Sequence, residues 1–307
     1  MQLIRGIHNI RSIHRGCVLT IGNFDGVHLG HQAVLAQVKQ QAQERGVAAT
    51  VMTFEPQPQE LFQPDKAPAR LTNLREKHQA LRAQGIDRHI VIEFNRKFAN
   101  LPAADFIEQV LVAKLGVKFL VVGDDFRFGH GRTGDFAMLQ RAGAEFGFAV
   151  VDTQSYRQQQ QRVSSTAIRQ ALTVGDFAAA EAMLGRPFAF AGRVVHGEKK
   201  GRTIGFPTAN LQLKRLHSPL RGVFAVQVQT NDGKMHAGVA NIGRRPTLNG
   251  ERVQLEVHLF DFTGDLYGQQ LQVVPRHFIR AEQKFADFAA LQQQIERDAR
   301  AARELRP

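Results

Sequence analysis

Strand-like and helix-like apolar patterns alternate through the first 184 residues and then cease to alternate. That change of rhythm constrains the fold more than any other property of the chain. Apolar runs that read as buried strands lie near 17–22, 47–54, 88–94, 117–123 and 147–153. Helical patterns follow near 29–45, 73–84, 103–115, 135–146 and 164–184. Such alternation predicts a parallel sheet with helices on both faces, in which ligands bind outside the carboxyl ends of the strands.

After Gly185-Arg-Pro187 the pattern becomes one of short strands, near 188–196, 222–230, 234–242, 253–261 and 271–280. Gly, Pro, Asn and Asp punctuate them, and Val228-Gln-Thr-Asn-Asp-Gly-Lys234 reads as a hairpin turn because Asn, Asp and Gly tolerate positive φ. Several strands without intervening helices predict a small antiparallel β-barrel. A helical pattern from Phe285 to about Leu305 closes the chain. The fold class is therefore α/β plus β, with domains at 1–184 and 185–307. A length of 307 residues agrees, since single cores rarely grow past ~250 residues.

Composition excludes several classes. One cysteine, Cys17, rules out an internal disulfide framework and fits a reducing cytoplasm. The N-terminus lacks the apolar core of a signal peptide, and no apolar run approaches the ~20 residues needed to span a bilayer. The expectation is a soluble cytoplasmic chain with no membrane partner. The net charge of +12 is scattered and not interleaved with aromatics as a base-stacking platform would be, so no nucleic-acid partner is expected. Monomer and weak homo-oligomer both stay open.

The segment Thr20-Ile-Gly-Asn-Phe-Asp-Gly-Val-His-Leu-Gly-His31 lies at the turn from the first of these strands into a helix. His28 and His31, three apart, share a helix face near an N-terminus whose N–H groups attract anions. Gly22, Gly26 and Gly30 allow a large ligand close to the backbone. Two imidazoles and an anion-binding helix end suit a nucleoside triphosphate reacting at its α-phosphorus. A His-x-x-His pair by itself is more often surface or packing histidine. A second candidate lies in the β-rich half. Thr208 and Asn210, two apart in Pro207-Thr-Ala-Asn210, fall on one face of an extended segment and offer two oxygen ligands suited to Mg²⁺. In Val253-Gln-Leu-Glu-Val-His-Leu259, strict alternation puts Gln254, Glu256 and His258 on one face. Glu256 is a candidate base there, and a solvated strand face explains the pattern equally well. The match of Gly129-His-Gly-Arg-Thr-Gly134 to GxGxxG stands too far from its strand for a dinucleotide turn, so no NAD site is read there.

The pattern GxFDGxHxGH resembles the signature of HxGH nucleotidyltransferases, and its Gly22-Asn-Phe-Asp-Gly-Val-His28 form resembles bacterial FAD synthetases. Gly123-Asp-Asp-Phe-Arg-Phe-Gly129 and Val163-Ser-Ser-Thr-Ala-Ile-Arg169 are similar to two further motifs of that family. In the barrel half, the GRTxGFPTAN stretch ending at Asn210, Gly222-Val-Phe-Ala-Val226, Asn241-Ile-Gly-Arg-Arg-Pro-Thr247 and Leu255-Glu-Val-His-Leu259 resemble the bacterial riboflavin kinase module. The whole chain thus resembles the bifunctional riboflavin kinase/FAD synthetase family, which implies a Rossmann-like nucleotidyltransferase domain followed by a kinase barrel. The resemblance implies riboflavin, FMN and ATP as substrates, Mg²⁺ as cofactor, and FMN and FAD as products. It places Gly22, Phe24, Asp25, Ser165, Thr166 and Arg169 on ATP in the first site, with His28 and His31 as transition-state stabilisers. Asp125 and Phe128 would lie near the flavin. In the second site it places Gly205 and Thr208 on ATP, Thr208 and Asn210 on Mg²⁺, Glu256 as base and Arg280 at the flavin, where a helix-flanking surface charge is the alternative for Arg280. The family often carries Phe-x-Pro-His-Pro where this chain has Phe54-Glu-Pro-Gln-Pro58, and often Phe where this chain has Leu248. Gln57 can hydrogen-bond phosphate without carrying charge. Two other readings are a nucleotidyltransferase of another phosphate ester with a ligand-binding barrel, and an RNA-binding protein, which lacks stacking aromatics here.

Overall fold

The computed structural model describes residues 1–153, 163–197, 205–247 and 250–305. Packing divides the chain into two units, Met1–Pro68 with Leu74–Val163, and Ala69–Asn73 with Ser164–Pro307. In the first unit, β1 (Gln2–Arg5), β2 (Cys17–Ile21), β3 (Ala48–Glu55), β4 (Arg88–Glu93), β5 (Val117–Val122) and β6 (Ala149–Asp152) form one sheet. Its order is β1-β4-β3-β2-β5-β6, and every pair is parallel. All five residues of β2 are buried, as the unbroken apolar run requires of a strand covered on both faces. Cys17, Leu19 and Ile21 pack with Ile107, Leu111 and Leu120 on one side. Val18 packs on the other with Leu35 and Val38 of helix Leu29–Arg45 and with Leu81 of helix Leu74–Ala83.

The strand order reverses at β2, with β3 on one side and β5 on the other. The crevice at such a switch point, outside the carboxyl ends, is where open parallel sheets bind ligands. The loops that leave it are Gly22–His28 after β2 and the Gly123 loop after β5. The edge strand β1 was not expected from the sequence. It has four residues and only Ile4 is buried, too short a run for alternation to register.

In the second unit, β7 (Phe190–Val195), β8 (Ala209–Gln212), β9 (Gly222–Gln229), β10 (Met235–Thr247), β11 (Gly250–Leu259) and β12 (Gln270–Arg280) close into a barrel in the order β10-β11-β8-β7-β12-β9. All its pairs are antiparallel. The expected hairpin joins β9 to β10, with Gly233 at φ +82°. Helix Phe288–Glu304, capped by Asp287, packs Ala299 and Ala302 against Val223, Ala225, Val239 and Phe260. The single helical pattern at 164–184 is in fact two helices, Ser165–Thr173 and Phe177–Leu184. Gly175 at φ +77° ends the first, and Asp176 caps the second by accepting from the Ala179 N–H at 2.9 Å. The segment Ala69–Asn73 is tied into this unit through its backbone: Arg169 Nε donates to Ala69 O at 2.6 Å and Arg215 Nη1 to Arg70 O at 2.8 Å.

Candidate active sites

The loop after β2 winds tightly before entering its helix. Phe24, Gly26 and Val27 have φ values of +45°, +86° and +43°. For Phe and the β-branched Val this is a strained backbone, a condition that persists where the surrounding structure over-determines it. Phe24, Asp25 and His28 are all buried. His28 occupies the N-cap of helix Leu29–Arg45, and its Nδ1 accepts the His31 N–H at 3.3 Å. With Nδ1 accepting, the neutral ring carries its proton on Nε2. The two imidazoles stack with centroids 3.6 Å apart and planes 16° from parallel. The Phe24 ring lies 4.9 Å from that of His31. Gly22 donates to Met52 O at 3.1 Å, and a Cβ on it would meet the Phe24 ring at 3.2 Å. His31 Nδ1 is buried without a hydrogen-bond partner, a polar atom turned into the fold beside its stacked neighbour.

Burial, then the charges of His28 and Lys77, hold His31 well below the usual histidine range. Lys77 is fully buried on helix Leu74–Ala83 and acts also on His89, whose pKa burial and Lys77 push down from 6.5 to about 3. His89 bonds Thr53 Oγ1 at 2.8 Å and His78 Nδ1 at 3.2 Å. A histidine kept neutral in the fold but titrating near 6.5 when unfolded loses stability as pH falls below 6.5, because only the unfolded chain takes the proton. For His89 the loss between pH 7 and 5 is about 2 kcal/mol, and it continues to about pH 3. Thermal unfolding at the two pH values is expected to show the first unit weakened at pH 5, with a shallower dependence in His89→Gln. An identical slope in that variant would contradict the assignment.

Elsewhere in the first unit, Asp125 is exposed after β5, with its Oδ1 against Gly123, where a Cβ would lie 2.6 Å away. Phe128 is buried in the apolar core, stacked on the half-buried Phe126 at 5.6 Å. Gln57, two residues past β3 at the N-cap of helix Pro58–Phe62, is buried, donates its backbone N–H to Glu60 Oε2 at 2.9 Å and leaves Nε2 without a partner. The GxGxxG stretch folds back on itself, Phe128 bridging Gly134, and forms no strand-to-helix turn. In the second unit, Ser164, not Ser165, caps helix Ser165–Thr173, accepting from the Ala167 N–H at 3.2 Å. Ser165 is half-buried and Thr166 exposed in the first turn, and Arg169 engages Ala69 as described.

The barrel brings its candidates together. Asn210 on β8 and Glu256 on β11 are register partners. Gln254 Nε2 donates to Asn210 Oδ1 at 2.5 Å and to Glu256 Oε1 at 2.8 Å. Thr208, half-buried, immediately precedes β8, and Pro207 O bonds His258 Nδ1 at 2.9 Å. Gly197 packs on the Asn210 amide so closely that a Cβ there would fall 2.3 Å from Nδ2. Neutral oxygens of Thr208 and Asn210 in a glycine-cleared cradle fit Mg²⁺, which keeps several waters and takes phosphate oxygens alongside few protein ligands. Gly205 sits exposed at φ +81°. Arg280 lies at the end of β12 with its guanidinium held by Asp298 of the C-terminal helix, Nε–Oδ1 2.9 Å and Nη2–Oδ2 2.7 Å. The rest of the glycine-rich motif, 198–204, and Leu248 fall outside the described residues.

A FAD synthetase family model matches residues 10–167, and a riboflavin kinase model matches residues 184–306. The bifunctional riboflavin kinase/FMN adenylyltransferase of Escherichia coli (strain K12) is 56% identical over 305 residues, covering 99% of this chain and 97% of that protein. The chain belongs to the bifunctional riboflavin kinase/FMN adenylyltransferase family. The family member of Haemophilus influenzae is 53% identical over 303 residues, covering 99% of this chain and 98% of its own. A solved structure described as a macrolide-efflux protein from Streptococcus pneumoniae superposes with a TM-score of 0.75 at 29% identity, covering 99% of both chains. Among the described residues here, no helix is long and apolar enough to cross a membrane.

Two buried residues near these family motifs escaped the sequence reading. Lys77 falls between Leu74 and Leu81 on a helix stripe that is otherwise apolar, and a cation in that position is itself a signal. Asp298, buried on the C-terminal helix, faces Arg280.

Proposed function

We propose that the second unit's barrel phosphorylates riboflavin to FMN with ATP, and that the His28/His31 site adenylylates FMN to FAD with release of pyrophosphate. The observation that carries this reading is the full-length match to bifunctional relatives, in which two family models take successive parts of the chain. The sites differ as their nucleophiles do. An alcohol benefits from a positioned base, and Glu256 accepts the proton of the ribityl 5′-hydroxyl as it attacks the γ-phosphorus. Thr208 and Asn210 would hold Mg²⁺, which when bound neutralises charge on the phosphates. The FMN phosphate is already an anion and needs no strong base. At that site His28 and His31 donate to the α-phosphoryl oxygens as negative charge builds, and the helix N-terminus adds its dipole. Positioning and electrostatics carry most of such a transfer.

Ser165, Thr166 and Arg169 hold ATP phosphates, Asp125 and Phe128 border the flavin of the first site, and Arg280 that of the second. Gly22, Phe24 and Asp25 shape the ATP site of the first reaction, and Gly205 that of the second. The bounds of the two family models support a division of the functional domains at residue 184, whereas packing groups Ser164–Leu184 with the second unit. The protein works in the cytoplasm, without nucleic acid. The test incubates the purified chain with riboflavin, ATP and Mg²⁺ and separates flavins by chromatography over time. FMN should rise first and FAD follow at its expense. Adenylylation of a different phosphate ester without riboflavin turnover would overturn the proposal.

A further inference from the structure

We propose that Gln254 is a positioning residue of the kinase site, clamping the base and a metal-binding amide with one nitrogen. The inference rests on the reading of Glu256 as base and extends it to a residue that the family motifs do not contain.

The side chain is two residues from Glu256 on the same strand face, and one strand step diagonal to Asn210, since Gln254 pairs with Gln212 and Glu256 with Asn210. Its Nε2 carries two hydrogens, and the structure uses both, one on Asn210 Oδ1 at 2.5 Å and one on Glu256 Oε1 at 2.8 Å. Reversing the amide would set its oxygen against two other oxygens, so chemistry fixes its orientation. The consequence for Glu256 is a carboxylate held at one defined rotation. The consequence for Asn210 is stronger confinement, because Gly197 closes its other side. An amide oxygen has two lone pairs. One takes the Gln254 N–H, which leaves the second for a cation. Gln254 itself is neutral and accepts no proton, so its contribution is geometric. Misplacing a reacting group by about 1 Å costs about 10²-fold in rate, and outer-shell partners are typically worth about 10–100-fold.

The test uses the full chain with Gln254→Met, which keeps the bulk and removes both donors, and Gln254→Glu, which keeps the shape and turns the donor into an acceptor. Three quantities are read for each: riboflavin kcat and KM, riboflavin binding by flavin fluorescence, and Mg²⁺-dependent ADP binding by calorimetry. The expected result is a kcat lower by about 10–100-fold in both variants, with riboflavin KM and binding within about twofold and the Mg²⁺-dependent part of ADP binding weakened. FAD formation from supplied FMN should be unaltered.

A kcat within about twofold of the parent in Gln254→Met would overturn the inference. So would loss of riboflavin binding together with activity in both variants, the outcome of a purely structural role. Glu256→Gln is run alongside. If it phosphorylates riboflavin normally, the base assignment falls and Gln254 with it. If it is inactive while Gln254→Met is not, only the role of Gln254 falls.

Discussion

Replacing His28 and His31 together by alanine is expected to slow FAD formation from FMN by about 10³-fold or more, because each donor aimed at developing phosphoryl charge is worth about 10²–10³-fold. The two rings stack at 3.6 Å and act on the same charge, so the paired loss should fall short of the product of the single losses. The helix should survive. His28 supplies an N-cap, and removing a cap costs only about 1 kcal/mol. Riboflavin phosphorylation in the same variant should be near normal, since neither imidazole belongs to the barrel. The measurement is FAD produced from supplied FMN and ATP. A variant retaining a substantial part of that rate would remove the histidines from the chemistry.

Glu256→Gln should have the opposite signature. Riboflavin phosphorylation is expected to fall by about 10²–10⁴-fold, the usual contribution of a positioned base. FAD formation from supplied FMN should persist. The substitution is informative because a glutamine at 256 can still accept the Gln254 hydrogen bond through its carbonyl oxygen, preserving the network while losing the proton acceptor. Retained phosphorylation would show that the hydroxyl loses its proton elsewhere.

Long apolar runs made the architecture legible. The run at 17–22 is β2, buried on both faces, and the pattern at 29–45 is a helix of those bounds. What escaped was short or ambiguous. The four residues of β8 begin inside the Pro-Thr-Ala-Asn motif, where proline and glycine punctuation reads as loop, yet three of the four are buried. Period-two alternation correctly placed Gln254 and Glu256 on one face, but alternation along one strand is silent about the neighbouring strand. That Asn210 faces Glu256 depends on the register of β8 against β11, and a slip of one residue would have turned it away. The His28–His31 pair was visible as spacing, whereas the capping bond and the stack arise from the strained turn at Phe24 and Val27, which no propensity favours. The Asp298–Arg280 pair joins residues 18 apart on different elements, beyond any local pattern.

On the proposed reading, two ATP-using centres of unlike construction work independently on one polypeptide. Mixing the His28→Ala/His31→Ala variant with the Glu256→Gln variant separates this reading from its rivals. Given riboflavin, ATP and Mg²⁺, each variant alone should make essentially no FAD. The mixture should make it, because FMN released by the first is adenylylated by the second. FAD from either variant alone, or none from the mixture while both remain folded, would contradict the claim.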